Sequence, residues 1–362
     1  RIFKVELRIG VSMKKILCVG GAGFIGSHLS HRLANSEDYS VAQADIWSAK
    51  LKIRFENQPF DFHPLDISTD DDTLDKLVAE HDVVFNMASR ASPKLYVNDP
   101  VAVAQLNLFD GSKVINACLK HKKKLVHFST SEVYGKALGS TEPFDEEETN
   151  CVTGPIKNHR WMYSATKQML DRLIVGHGAT NGLDYTIVRP FNVVGPLIDH
   201  VMVDADDGAP RVFSYFMSAL INGEALKLVD GGKSLRTFIH VNDLIDALLS
   251  ILDNPDQSSG QIFNIGNPDN ETDIAGLADL MQDIYRKEFD GAGPPSDVVS
   301  ISGEEFYGKG YEDTERRMPN ISKMSALGWT PKVGLRELLE DTMRYTWDNR
   351  HRLTQVAMDN LD

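Results

Sequence analysis

Ile16 to Val19 form a short apolar run that passes directly into Gly20-Gly21-Ala22-Gly23-Phe24-Ile25-Gly26, and a helical pattern through Leu29 and Leu33 follows. Strand, glycine turn and helix in that order constrain the chain more than any other stretch, because they are the context that makes a glycine motif a phosphate-binding site. Gly20 makes the tight turn, Gly23 lets backbone approach a pyrophosphate, and Gly26 lets helix pack on strand. Phe24 and Ile25 open the helix, whose N-terminus faces negative charge.

Strand and helix patterns alternate along the chain. A second strand, Ser40 to Ala44, ends at Asp45, where a carboxylate can hydrogen-bond both ribose hydroxyls and repel a 2′-phosphate. That favours NAD over NADP. Asp66, with Ile67 beside it, is placed to meet the adenine end, or else caps the helix before Leu74. Asp82 to Ala88 reads as the fourth strand and a helical pattern from Val101 to Cys118 comes after it. Ala88 and Asn107 complete the cofactor candidates. Lys122, Lys123 and Lys124 read as a solvated helix end before the strand Leu125 to Phe128. Buried strands alternating with helices predict an α/β fold, a doubly wound parallel (Rossmann) sheet. Its ligand belongs at the strand C-termini, where Gly20, Asp45, Ala88 and Thr130 fall.

The chemistry is written between Phe128 and Lys167. Tyr163 and Lys167 stand four positions apart on one helical face, where an ammonium can lower a phenol's pKa towards neutrality. Thr130, at a strand end, can bind the same substrate oxygen. Together they suit removal of a proton from an alcohol while a hydride leaves its carbon.

Composition narrows the partners. A net charge of -14 argues against nucleic-acid binding through phosphates. Cys18, Cys118 and Cys151 show no paired spacing, so neither a disulfide framework nor a zinc site is expected, and a reducing, cytoplasmic setting fits. No apolar run is long enough to span a bilayer, and no metal site is expected. Residues 1–12 precede a natural-looking start at Met13. Asp199 to Pro210 and Gly291 to Ser296 read as loops, and the tail after Arg352 as frayed.

The glycine motif, the Thr130/Tyr163/Lys167 set and Arg236-Thr237-Phe238 before Val241-x-Asp243 resemble the extended short-chain dehydrogenase/reductases that act on nucleotide sugars. Thr130-Ser131-Glu132-Val133-Tyr134-Gly135 is similar to the UDP-glucuronate decarboxylases. Arg160-Trp161-x-Tyr163-Ser164 and Tyr307-Gly308-Lys309-Gly310-Tyr311-x-Asp313 with Arg317-x-Pro319 resemble the polymyxin-resistance decarboxylase domain and the plant UDP-apiose/xylose synthases. Those synthases have a cysteine, tied to ring contraction, where this chain has Ala91.

The resemblance implies an NAD-binding domain over 13–189 and 234–266, a smaller nucleotide-sugar lobe over 190–233 and 267–350, and extensions at 1–12 and 353–362. It implies NAD-dependent C4 oxidation of UDP-glucuronate with loss of CO₂, giving a UDP-4-ketopentose, UDP-xylose, or both. Tyr163 is then the base, Lys167 its activator and Thr130 the orienting hydroxyl. Arg317 holds the carboxylate or passes a proton through water; as a solvated arginine beside Arg316 it would be unremarkable. Glu132 repels the substrate carboxylate or handles the C5 proton, or is a salt-bridged acid. Ser131 hydrogen-bonds the C6 group. Asn192, Arg211, Lys227 and Arg236 are candidates for the diphosphate, with Tyr96 and Tyr311 at the sugar. A homodimer through the helices after the fourth strand and around Tyr163 is also implied. A nucleotide-sugar 4-epimerase or 4,6-dehydratase, and a non-catalytic NAD-binding scaffold, are the competing readings.

Overall fold

The computed structural model describes residues 13–46, 60–202, 211–289 and 296–359. The extension 1–12, most of the loop before Arg211 and all but the last residue of the loop Gly291 to Ser296 lie outside them. Seven parallel strands build the main sheet: β1 (Lys14–Val19), β2 (Tyr39–Asp45), β3 (Asp61–Pro64), β4 (Val83–Asn86), β5 (Lys124–Phe128), β6 (Tyr185–Pro190) and β10 (Gln261–Ile265). Their order across the sheet is β10-β6-β5-β4-β1-β2-β3. Strand order reverses beside β1, and the crevice there is where a doubly wound sheet binds its ligand. Both faces are covered, one by a core around Leu17, Val84 and Ile187, the other by a larger one around Ile16, Phe85 and Phe263.

A smaller layer stands at the C-terminal edge of this sheet. Here β9 (Leu235–His240) is flanked by β7 (Asn192–Val194), β11 (Glu271–Asp273) and β13 (Arg316–Arg317), while β8 (Leu226–Val229) pairs with β12 (Val298–Ile301). β9 belongs to the small sheet, and the chain returns to the large layer with the helix Val241–Asp253, tied to the helix Phe24–Ala34 by Arg32 and Asp246 at 3.0 Å.

The helical pattern expected from Val101 to Cys118 is present, with a π-helical turn Gln105–Asp110 between Pro100–Ala104 and Gly111–His121. The wide turn faces inward because Asn107 and Asp110 are buried within it. Two other local expectations are corrected. Lys124 is not solvated: it opens β5 with its side chain buried, Nζ donating to the Pro255 carbonyl and the Ser258 hydroxyl at 3.3 and 3.2 Å. Beyond Arg352 the chain stays helical to Asp359, anchored by buried Leu353. No helix among the described residues is long and apolar enough to cross a membrane.

Candidate active site

The glycine turn has the shape a dinucleotide needs. Gly20 sits at φ +76°, and a Cβ there would come within 2.5 Å of the Ala88 backbone nitrogen, so turn and fourth-strand loop touch backbone to backbone. A Cβ on Gly26 would lie 2.5 Å from the Gly21 carbonyl. A Cβ on Gly23 would meet nothing nearer than 3.4 Å, which leaves open the approach to the helix N-terminus at Phe24 and Ile25. Asp45, at the end of β2, accepts the Ala22 N–H at 3.0 Å and the Ile46 N–H at 2.8 Å. These residues fit NAD. Asp66 is exposed and accepts the Ser68 N–H at 2.9 Å, with Ile67 buried next to it; the cap of the following helix is Asp70, not Asp66. Asn107 is buried beneath the loop after β4. Its carboxamide oxygen accepts the Arg90 N–H and the Ser89 hydroxyl, and its amide donates to the Arg90 carbonyl, so it shapes the loop after β4.

A cavity of about 350 Å³ lies between this edge of the sheet and the small layer. Thr130, Ser131, Glu132, Tyr163, Lys167 and Arg317 all line it, as do Tyr96, Asn192, Arg211, Lys227, Arg236 and Tyr311. Of the cofactor candidates, Ile25, Tyr163 and Lys167 reach its wall. Tyr163 and Lys167 share the helix Met162–Asn181. Gln168 of the same helix donates to the Val133 carbonyl at 2.7 Å, fixing the turn Ser131–Tyr134 against it, and Thr130 caps that turn by accepting the Glu132 N–H at 3.2 Å.

Lys167, expected to lower the phenol's pKa, stands one turn beyond Tyr163 on that helix. Lys167 Nζ donates to the Phe128 carbonyl at 2.9 Å, and burial pulls its pKa down to about 8. Burial and the nearby Glu132 push the Tyr163 phenol up to about 12, against hydrogen bonds with Ser89 and Thr130. In the chain by itself the phenol is thus held protonated. Tyr96 stacks on it at 4.5 Å between ring centroids, with the planes 4° apart.

Strand alternation explains the two neighbouring arginines. Arg316 leaves β13 towards Glu271, with Nε 2.6 Å from its carboxylate. Arg317 leaves the other face, buried, and register sets it beside Arg236 of β9. It is therefore no solvated arginine. Arg317 and Arg160 both donate to Glu132, Arg160 at 2.5 Å. Burial would raise that carboxyl, but the two guanidiniums hold it down to about 2. Arg236 pairs with Asp313 at 2.5 Å. Three guanidiniums face two carboxylates, so this cluster carries one net positive charge. Arg160 Nη1 and Arg317 Nε are buried donors with no acceptor among the described residues.

The remaining candidates flank this cluster. The Asn192 amide donates to the Thr237 carbonyl at 2.9 Å. Arg211 stands at the rim beside Phe24, gripped by Asp199 at 2.7 Å. Tyr311 stacks on Tyr307 at 4.1 Å. Arg160, Ser89 and Asp313 were not read as functional from sequence. Arg160 and Asp313 stood in recognisable motifs, but nothing local signals a partner 28 or 77 residues away.

Fold and site together define a dinucleotide-dependent enzyme. The chain belongs to the NAD dependent epimerase/dehydratase family, whose model matches residues 16–266. It is 39% identical over 352 residues to UDP-D-apiose/UDP-D-xylose synthase 1 of Arabidopsis thaliana, covering 91% of this chain and 90% of that one. A UDP-D-apiose/UDP-D-xylose synthase of Oryza sativa subsp. japonica is 39% identical over 354 residues, covering 91% and 88%. Among solved structures, the PbgP3 protein of Burkholderia pseudomallei superposes with a TM-score of 0.83 at 31% identity, covering 95% of this chain and all of that one.

Proposed function

We propose that the protein is an NAD-dependent UDP-glucuronate decarboxylase. The observation that carries this reading is the net positive arginine cluster with two unpartnered buried donors, set beside the Thr130/Tyr163/Lys167 group. A buried donor nitrogen left without an acceptor is costly, and the cluster keeps one net positive charge, so the site suits a substrate that brings its own anion. A sugar carboxylate meets that need where a neutral hexose does not. The related apiose/xylose synthases make products of the same class.

Bound NAD supplies the hydride acceptor at the sugar C4. Tyr163 Oη takes the C4 hydroxyl proton, and Thr130 orients that oxygen. The resulting 4-ketone is β to the C6 carboxylate. The C5–C6 bond then breaks, CO₂ leaves, and its electron pair passes into an enolate on the C4 oxygen. A proton returned to C5 yields the 4-ketopentose. Arg160 and Arg317 hold the carboxylate before it leaves. Glu132 already occupies one side of each guanidinium, which keeps the grip loose enough for neutral CO₂ to go. Asn192, Arg211, Lys227 and Arg236 serve the diphosphate.

Ala91 lines the cavity without a thiol, which supports UDP-4-ketopentose or UDP-xylose as product and not a ring-contracted apiose. A homodimer goes with this reading: Val101, Phe109 and Met169 are 75%, 59% and 49% exposed on the helices that would pack. All three cysteines are free, in keeping with a cytoplasmic setting. The test is an NMR time course with UDP-glucuronate and NAD⁺, read alongside NADH absorbance. A UDP-pentose is expected; no loss of CO₂ overturns the substrate assignment.

A further inference from the structure

Arg160 is the most completely buried cation of the site, and what fixes it is not its partner Glu132 alone. The segment 307–317 runs over the cavity as a strap carrying Tyr307, Tyr311, Asp313 and Arg317. One residue of this strap points away from the cavity and into the loop before the Tyr163 helix. Glu312 accepts from Asn158 Nδ2 at 2.5 Å, from Trp161 Nε1 at 2.8 Å and from Lys136 Nζ at 2.9 Å. Its backbone carbonyl accepts from Arg160 Nε at 3.1 Å. The Arg160 guanidinium then lies over three rings, Trp161, Tyr96 and Tyr311, at 5.3, 5.6 and 5.8 Å.

The surroundings are cut to this arrangement. A Cβ on Gly154 would fall 2.3 Å from Trp161 Nε1 and 2.6 Å from Glu312 Oε2, so only glycine lets that hydrogen bond close. The strap enters through Gly308 and Gly310, both at positive φ (+107° and +87°), conformations that side chains resist and that leave its approach to Glu312 to glycine.

We propose that Glu312 is a positioning residue that fastens the strap to the Arg160–Trp161 segment and thereby aligns the arginines that read the substrate's carboxylate. This rests on the decarboxylase reading. It adds that affinity for the sugar acid, as distinct from the nucleotide, depends on a carboxylate that touches neither.

The experiment measures binding of UDP-glucuronate and of UDP to the protein loaded with NADH, which cannot take a hydride and so leaves the substrate intact, by calorimetry, with hydrogen exchange across 307–317. Glu312→Ala is expected to weaken UDP-glucuronate about tenfold while UDP changes by less than about twofold, a coupling of ordinary size for a broken network. Strap amides should exchange faster, and KM should rise more than kcat falls. Glu312→Gln, which keeps one acceptor oxygen but loses the other and the charge facing Lys136, should fall between, and Lys136→Met should show the smallest change. Equal losses for both ligands, or unchanged affinities with unchanged exchange, would overturn the assignment. Wild-type protein that binds UDP-glucuronate no better than UDP would instead sink the decarboxylase reading; exchange in the strap then decides the latch alone.

Discussion

The two halves of the cleft are built on different principles. The cofactor side is backbone: Gly20, Gly23 and Gly26 shape a turn, and one carboxylate, Asp45, closes it from the next strand. It is assembled from contiguous residues and needs little beyond the absence of side chains. The substrate side is side chain. Glu132, Arg160, Arg236, Asp313 and Arg317 come from widely separated segments and balance one another only when the small sheet is in place. A backbone site tolerates a change of ligand chemistry poorly but is simple to encode. A charge network can be retuned for a new substrate, and its cost is that losing one member strands another.

Substitutions on each side should separate these behaviours. The largest effect is expected at the junction. Tyr163→Phe should lower kcat by about 10²–10⁴-fold, with NAD binding retained by fluorescence titration; near-normal turnover would remove Tyr163 as base. Next, Arg317→Ala leaves Glu132 with one guanidinium. Breaking a buried pair costs up to about 3–5 kcal/mol, so a lowered Tm should accompany lost activity, and adding Glu132→Gln should lower it further because Arg160 then loses its carboxylate. On the cofactor side, Gly20→Ala meets Ala88 and a left-handed backbone; strain of about 1–3 kcal/mol should weaken NAD binding before it unfolds the chain.

Two pH effects are smaller. The Tyr163 phenol, near 12 in the chain alone, should titrate lower once NAD⁺ is bound, because the oxidised nicotinamide's positive charge favours phenolate; difference absorbance checks it. Glu132 is held near 2 against an ordinary 4.5. The unfolded chain therefore takes up the proton first, and this stabilisation is complete above about pH 4.5 and lost as pH falls towards 2. Thermal melts of Glu132→Gln should show a shallower acid slope than those of the wild type.

The same contrast governs what could be read from sequence. The Gly20–Gly26 turn, Asp45, and the Tyr163/Lys167 spacing are local patterns with a fixed physical meaning, and the parallel sheet follows from the alternation of buried strands with helices. The resemblance of whole motifs added Glu132 and Arg317. Arg160 was visible as part of a motif but silent as to role, because its meaning depends on Glu132 and on three rings drawn from other segments. The π-helical turn that spends Asn107 on the Ser89–Arg90 loop keeps a helical apolar pattern, so nothing in its spacing betrays it. Lys124 read as solvent-facing from its neighbours, whereas the depth of β5 and the Pro255–Ser258 turn decide its burial. The phenol's high pKa is likewise a property of burial, which spacing along a helix does not report.

The most direct test compares the affinity of the NADH-loaded protein, which cannot oxidise either sugar, for UDP-glucuronate and for UDP-glucose, which differ only in the charged carboxylate at C6. A net positive cluster with two waiting donors should favour the uronate by at least about tenfold, the scale of one charge-assisted hydrogen bond. Equal affinity for the two would mean that the arginines merely hold the fold together, and would contradict the assignment of this site to a sugar acid.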